Sequence, residues 1–405
     1  MRVFLKIAWR NILRSHNRSI ITILAVAIGF ASLIFIRAFV NGADHQMVEN
    51  YTALISGHIQ IHEEGFQSNM GLDKSISSKT DIIAALKNDP RVRAYSERIK
   101  EFALISSAER SSGVLLLGVD SSAERGVTEL SKRVHTGSFP SDNEHIVIGK
   151  RLASSLNVGL GDKVVIMGQA ADGSLANEAY RVGGIMDTGT EELDKGLAII
   201  SLNAARELFV MGDKISEVAV RIDNFKNVDA VAGDLKKALK GKSLEILTWK
   251  DITPVLVQWI EFDIAFTNII LLVVLLVVAA GILNTLLMAT LERVKEFGIM
   301  LALGTRRTQI ILMITMESLI LGSIGTIAGY IIGISLSLYF GVRGINLAPF
   351  SKALTDYYIG STIYTRITPG YLIAYGSIIL ITCIVVSVYP AWRAASLRPA
   401  EAIRT

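Results

Sequence analysis

Four stretches of the chain are almost unbroken runs of apolar side chains: Ile20–Val40, Ile264–Thr290, Ile310–Val342 and Tyr371–Trp392. A bilayer core takes about 20 apolar residues to cross as a helix, so each run predicts a membrane span. The second and fourth runs carry no charge; the first carries Arg37 near its end, and the third carries Glu317. A long side chain such as Arg37 reaches the headgroups from there. Between the second and third runs lie the 19 residues Leu291–Gln309, LERVKEFGIMLALGTRRTQ. In helical register Val294, Phe297, Met300 and Leu301 fall on one side, with Glu292, Lys295 and Glu296 elsewhere. The pattern predicts a short amphipathic helix held against the membrane face by two spans, a part suited to receiving force from another protein.

The long segment between the first two runs alternates differently. Gly57–His62 (GHIQIH) has period two, with Ile59 and Ile61 on one face, and predicts a strand with His58 and His62 on its solvent face. Ser78–Lys87 predicts a helix capped by Ser77 or Ser78, with Pro90 beyond its end. Strands are expected at Ile99–Ser106 and Val114–Val119. From Gly137 a second block is expected: strand His145–Ile148, helix Gly149–Leu156, then strands Lys163–Gly168 and Tyr180–Met186 around an Asp172-Gly173 turn. Strand Leu197–Ser201, helix Leu202–Met211, strand Glu217–Ile222, helix Val228–Lys240 and strand Ser243–Thr248 follow. The series reads as two α+β lobes, one with a ferredoxin-like unit. Asp251–Asp263 reads as the amphipathic entry to the second span, with Trp249 and Trp259 at one interface and Trp392 at the other.

Composition agrees: the 405 residues are 51% hydrophobic, with a mean hydropathy of +0.44. Charge supplies the orientation. Residues 1–18 hold five basic side chains and no acid, Leu291–Gln309 holds four, and the tail after Trp392 holds three. The positive-inside rule therefore places both termini and the connector in the cytoplasm. The 41–263 segment, with 25 Lys+Arg against 32 Asp+Glu, lies outside. No basic stripe marks a folded domain, which excludes nucleic acid as a partner. The long first run, without a following A-x-A site, reads as an uncleaved anchor rather than a signal peptide. Cys383 is the sole cysteine, so no disulfide forms within the chain. The organisation expected is an interfacial basic helix (1–18), span one (19–40), an outer α+β domain (41–263), span two (264–290), the connector (291–309), span three (310–342), an outer loop (343–370), span four (371–392) and a tail (393–405).

Several patterns bear on chemistry. Arg2, Lys6, Arg10, Arg14 and Arg18 recur every four residues and make a basic stripe, with Ile7, Ala8, Ile12 and Leu13 for the lipid side. It serves as a membrane-surface helix drawn to anionic lipids or as a topology signal; the two are compatible. His58 and His62 next to Glu63 and Glu64 do not make a metalloprotease site, because on a strand the two imidazoles are about 13 Å apart along the chain. No nucleophile elbow or phosphate-binding loop occurs, so no catalytic, metal or cofactor residue is assigned, and ATP hydrolysis by this chain is not expected. Gly325, Gly329 and Gly333, preceded by Gly322, form a small-residue ladder in the third span. Such a ladder lets another helix approach closely, within the bundle or at a subunit interface. An intramembrane carboxylate is costly and faces protein or water. A structural role for Glu317, bonded to the connector or to headgroups, is expected over a proton relay. Asn284 and Thr285 are placed for helix-to-helix hydrogen bonds.

NTLLMATLERVKEFGIMLALGTRRTQI, ESLILGSIGTIAGYIIG and YPAWRAASLRPAEAIRT resemble the three C-terminal signatures of ABC-system permeases of the macrolide-exporter (MacB), lipoprotein-releasing (LolC/LolE) and division-protein (FtsX) type. IAWRNILRSHNRSIITILAVAIG, SGHIQIHEEGF, LLLGVD, IVIGKRLASSLNVGLGDKVVI and GIMDTGTEELDKGLAIISL look like the same family, nearer the lipoprotein-releasing branch. The resemblance implies a type VII ABC fold: four transmembrane helices with a large α+β periplasmic domain inserted between the first two. It implies two paired permeases, as a homodimer or with a sister subunit, docked on a separate ABC ATPase dimer that binds ATP and Mg²⁺. Glu292, Arg293, Lys295, Glu296, Phe297 and Gly298 would form the coupling helix in the ATPase groove. Motion would pass through the spans to the outer lobes, and substrate would be handled at the outer leaflet. The expected function is extraction of lipoproteins from the bacterial inner membrane for delivery to a periplasmic carrier. The alternatives are a tripartite efflux permease for small molecules or peptides and an FtsX-like signalling scaffold. The sequence carries no fused ATPase, unlike the macrolide exporters, and its outer domain is larger than that of the division proteins.

Overall fold

The computed structural model describes residues 8, 10–12, 14, 16–350, 354 and 357–397. The chain divides into two compact units. The membrane unit takes Met1–Asp44, Ile260–Asn346 and Thr362–Thr405; the outer unit takes His45–Trp259 and Leu347–Ser361.

Four helices are long and apolar enough to cross a bilayer. They are α1 (His16–Tyr51), α9 (Pro254–Glu292), α11 (Arg307–Arg343) and α12 (Pro369–Ala395). Each overruns its apolar run, because polar flanks outside the hydrocarbon continue the same backbone hydrogen bonding. The connector is the nine-residue α10 (Val294–Ala302). Gly304, at φ +92°, makes the turn from α10 toward α11, a backbone conformation that a Cβ disfavours.

The membrane unit is held by close helix contact rather than by apolar contrast with lipid. On α11 the glycine face meets α1. A methyl added at Gly325 would stand 2.7 Å from Val26 Cβ, one at Gly329 2.9 Å from Phe30, and one at Gly333 3.0 Å from Ile34. Gly322 instead faces Cys383 on α12. Tyr330 donates to the Leu372 carbonyl (2.7 Å) and Ser318 to the Cys383 carbonyl (2.8 Å), adding polar ties between α11 and α12.

The outer unit is built on one sheet of ten strands. In chain order these are β1 (Ile59–Glu63), β2 (Val92–Ser106), β3 (Ser111–Val119), β4 (Val134–Gly137), β5 (His145–Gly149), β6 (Lys163–Gln169), β7 (Leu175–Met186), β8 (Leu197–Ser201), β9 (Glu217–Ile222) and β10 (Leu244–Thr248). Helices α2 (Thr80–Asn88), α3 (Ser121–Val127), α4 (Lys150–Leu156), α5 (Glu191–Gly196), α6 (Leu202–Leu208), α7 (Val228–Ala238) and α8 (Trp249–Ile252) connect them.

The order β10-β1-β9-β2, all antiparallel, with α2 and α7 as crossovers, is a ferredoxin-like unit. Its two halves come from the two ends of the domain sequence. Inserted between β2 and β9 is a second lobe in which β2, β3, β8, β5, β7 and β6 pair in a closed ring. The 15-residue β2 belongs to both lobes, so they are nested rather than consecutive. The ring is filled by Ile99, Ile105, Leu116, Ile148, Ile166, Tyr180 and Phe209, all buried.

His58 and His62 are not on a solvent face. β1 lies between β9 and β10 and is covered on both sides, leaving the two side chains 6% and 0% exposed. His58 accepts the Ile222 N–H at 3.1 Å and meets Phe225 edge-on. Burial, aided by Arg221, lowers its pKa to about 4, so the ring is neutral.

Candidate coupling site

The connector region is built from its anchor outward. Phe297 is fully buried in the core of the membrane unit and Gly298 beside it is buried too. Met300 and Leu301 pack partly against the same core. Phe297 and Gly298 thus seat α10 on this chain; they do not present surface to a partner as the coupling-motif assignment would require. The cause is the helical period, which turns residues 294, 297, 298 and 301 toward the bundle.

Arg293 sits in the break between α9 and α10 and organises the surrounding acids. Its Nε donates to Glu296 (2.9 Å), its Nη1 lies 3.6 Å from Glu317 Oε2, and its guanidinium covers the Phe297 ring at 5.0 Å. Glu317, 5% exposed, therefore has its counter-charge in the connector. Arg14 donates to Glu296 (2.8 Å) and Arg18 to Glu292 (2.5 Å). Hydrogen bonding from Arg293, then from Arg14, holds the Glu296 carboxyl below its ordinary pKa.

These contacts revise the reading of the basic stripe. Arg14 and Arg18 serve the connector's carboxylates instead of facing lipid alone, and Ala8 and Ile12 are buried within the chain. Arg10 is exposed; Arg2, Lys6, Ile7 and Leu13 lie outside the described residues. The pairing spans 282 and 274 positions of sequence, and no local pattern announces it. Thr22 and Thr285 bond across α1 and α9 at 2.6 Å. Asn284 is exposed and, unlike Thr285, makes no such bond among the described residues.

What α10 offers outward is a small amphipathic patch. Lys295 is exposed, Ile299 is 50% exposed and Leu303, the capping residue just past the helix, 82%. These positions, i, i+4 and i+8, share one helix face. Apolar side chains on a face rimmed by charge fit a protein groove. Among the described residues no cluster of His, Cys, Asp or Glu is placed to hold a metal ion.

The comparisons with known proteins match this architecture. Residues 19–238 match the MacB-like periplasmic core domain and residues 268–399 the FtsX-like permease C-terminal domain. The chain is 23% identical over 401 residues to the lipoprotein-releasing system transmembrane protein LolC of Neisseria meningitidis, covering 95% of this chain and 94% of that protein. It is 22% identical to the macrolide export ATP-binding/permease protein MacB of Bradyrhizobium diazoefficiens, covering 99% of this chain and 60% of that protein. The crystal structure of the periplasmic region of MacB from Actinobacillus actinomycetemcomitans matches 53% of this chain and 97% of that one, at 13% identity and a TM-score of 0.37. A family match over more than half of its residues, together with a permease match over the last three spans, shows that this multi-pass membrane protein belongs to the ABC-transporter permeases of the MacB, LolC/LolE and FtsX type.

Proposed function

We propose that the chain is the permease subunit of an ATP-driven complex that extracts lipoproteins from the outer leaflet of the inner membrane and passes them to a periplasmic carrier. The observation that carries this reading is the nearly end-to-end similarity to a protein named as a lipoprotein-releasing transmembrane component. In this reading both termini and α10 are cytoplasmic, and α10 docks by Lys295, Ile299 and Leu303 on a separate ATPase dimer. ATP and Mg²⁺ bind there, not on this chain. A second copy or a sister permease completes the assembly.

Arg293, bonded to Glu296 on α10 and facing Glu317 on α11, ties the connector to the bundle, so that a push on the exposed face of α10 is delivered to α9 and α11. Helix α1, packed along the glycine face of α11, carries the displacement toward the outer unit. Efflux of small molecules is the second reading, favoured by the equally complete alignment of this chain with a macrolide exporter.

Reconstitution of the purified permease–ATPase complex with a triacylated lipoprotein and a soluble acceptor tests the proposal. ATP-dependent transfer of the lipoprotein to the acceptor is expected. Hydrolysis stimulated by a drug or peptide with no lipoprotein transfer would favour efflux instead.

A further inference from the structure

The outer unit holds a set of charges that neither the sequence patterns nor the coupling site account for. One rung of the sheet aligns Glu245, His62, Glu217 and Arg98 across β10, β1, β9 and β2. Arg98 and Glu124 are each 1% exposed and Glu217 is 0%. Arg98 grips Glu124 on α3 through Nε (3.0 Å) and Nη2 (2.6 Å), and Glu217 through Nη1 (2.9 Å). Glu217 also meets His62 at 3.3 Å and Lys100 at 3.5 Å, and Thr128 donates to Glu124 at 2.6 Å. Burying so many charges gives no net stability over an apolar core of equal volume, so stability alone does not explain the cluster.

Its remaining contact does. The second Nη1 bond of Arg98 goes to the carbonyl of Ile55, at 2.8 Å. Ile55 lies in a single π turn, Thr52–Ser56, that ends α1. A helix end leaves its last carbonyls without partners inside the helix. Here the outer unit supplies them. Glu129 N–H donates to Ala53 (2.7 Å), Arg98 to Ile55, and the Gln60 side chain to Ser56 (3.1 Å). Gly57 follows at φ +63°, where a Cβ would stand 2.9 Å from the Val220 carbonyl, so the chain enters β1 through a turn with no room for slack. Of the three, only the Arg98 bond is charge-assisted. The guanidinium is itself locked by two carboxylates on different elements.

We propose that Arg98 is a positioning residue that fixes the π-turned end of α1 to β2, β9 and α3, so that displacement of α1 reaches the sheet undamped. This deepens the proposed function, since it assumes that α1 transmits motion from the ATPase, but it is independent of the cargo. Arginine suits the task because its planar fork holds two carboxylates and a carbonyl at once, where a lysine ammonium cannot match the geometry.

The test uses the full permease–ATPase complex in lipid, the variants Arg98→Met/Glu124→Gln and Arg98→Lys, and hydrogen–deuterium exchange of peptides covering β1 and β9 with and without ATP. In the double variant Glu217 keeps Lys100 and His62 as partners, and the amide oxygen introduced by Glu124→Gln still accepts from Thr128, so the domain retains its fold. The expected result is ATP hydrolysis within about twofold of wild type, with the nucleotide-dependent exchange change in β1 and β9 abolished in the double variant and reduced in Arg98→Lys. If the double variant does not fold, Arg98→Lys decides by the same readout. An undiminished exchange change in the variants overturns the proposal, as does the absence of any such change in an actively hydrolysing wild type. A wild-type complex that shows the exchange change but transfers no lipoprotein refutes the cargo reading and leaves the joint standing.

Discussion

Two of the ion-pair networks among the described residues are built on opposite principles. Around α10 the pairs Arg14–Glu296 and Arg18–Glu292 are exposed, with side chains between 39% and 74% accessible. In the outer unit Arg98, Glu124 and Glu217 are sealed from water. Exposed pairs are weak and screened by salt, so they orient a part while letting it move. Buried pairs tolerate no loss of a partner, so they define one geometry. Under the proposed function the exposed set suits an adjustable input, at which a partner would bind and release, and the sealed set suits a rigid joint.

The largest effect expected on that contrast comes from Arg98→Met alone. It strands the buried Glu124 carboxylate, while Glu217 keeps Lys100 and His62, and should destabilise the outer unit by about 3–5 kcal/mol. Thermal unfolding of the purified chain, followed by a probe in the outer unit, measures this. A loss below about 1 kcal/mol would mean that the network is hydrated and the comparison false.

The next effect is set by pH. His58 has a folded pKa lowered to about 4, so the unfolded state takes up a proton first as pH falls below about 6.5. Stability present at pH 7 should therefore fall by about 2 kcal/mol by pH 5. The Glu124 and Glu217 carboxyls, held down by Arg98 and by Lys100 respectively despite burial, add a further loss only below about pH 4.5. His58→Gln should flatten the slope between pH 7 and 5 and leave the lower one; an unchanged upper slope would remove His58 from the account.

The smallest effect is predicted at the exposed pairs. Arg14→Ala and Arg18→Ala should each change stability by less than about 1 kcal/mol, and by less again in high salt. Double-mutant cycles with Glu296→Ala and Glu292→Ala read the pair energies directly. A coupling above about 2 kcal/mol would make the connector as rigid as the outer joint.

Part of this architecture was legible in the residues. Runs such as Ile264–Thr290 are apolar for longer than any globular helix needs, and the 3.6-residue period of Val294, Phe297 and Leu301 placed α10 against the bundle. The Gly322–Gly333 ladder showed a close helix face, though not that α1 would fill most of it. The strand at His58–His62 was visible, but alternation cannot tell one covered face from two, and the neighbours β9 and β10 lie more than 150 positions away. Separation along the chain also hid the Arg98 joint, whose partners Glu124, Ile55 and Glu217 lie 26, 43 and 119 positions away. In RAYSERIKEFALIS nothing separates Arg98 from Arg93, an exposed arginine on the same strand, until Glu124 and Glu217 are brought beside it. Phe297 shows the converse problem: a motif named it as a contact for a partner, and packing turned it inward.

The most direct measurement of the central claim, that force enters through the outward face of α10, compares Ile299→Glu and Leu303→Glu with Arg14→Ala. Each variant would be co-purified with the ATPase and assayed for ATP-driven transport in the same lipid. The account predicts at least tenfold loss of ATPase recovery and transport in the two glutamate variants, with near-normal assembly in Arg14→Ala and outer units folded in all three. Full assembly and transport in Ile299→Glu and Leu303→Glu would contradict it.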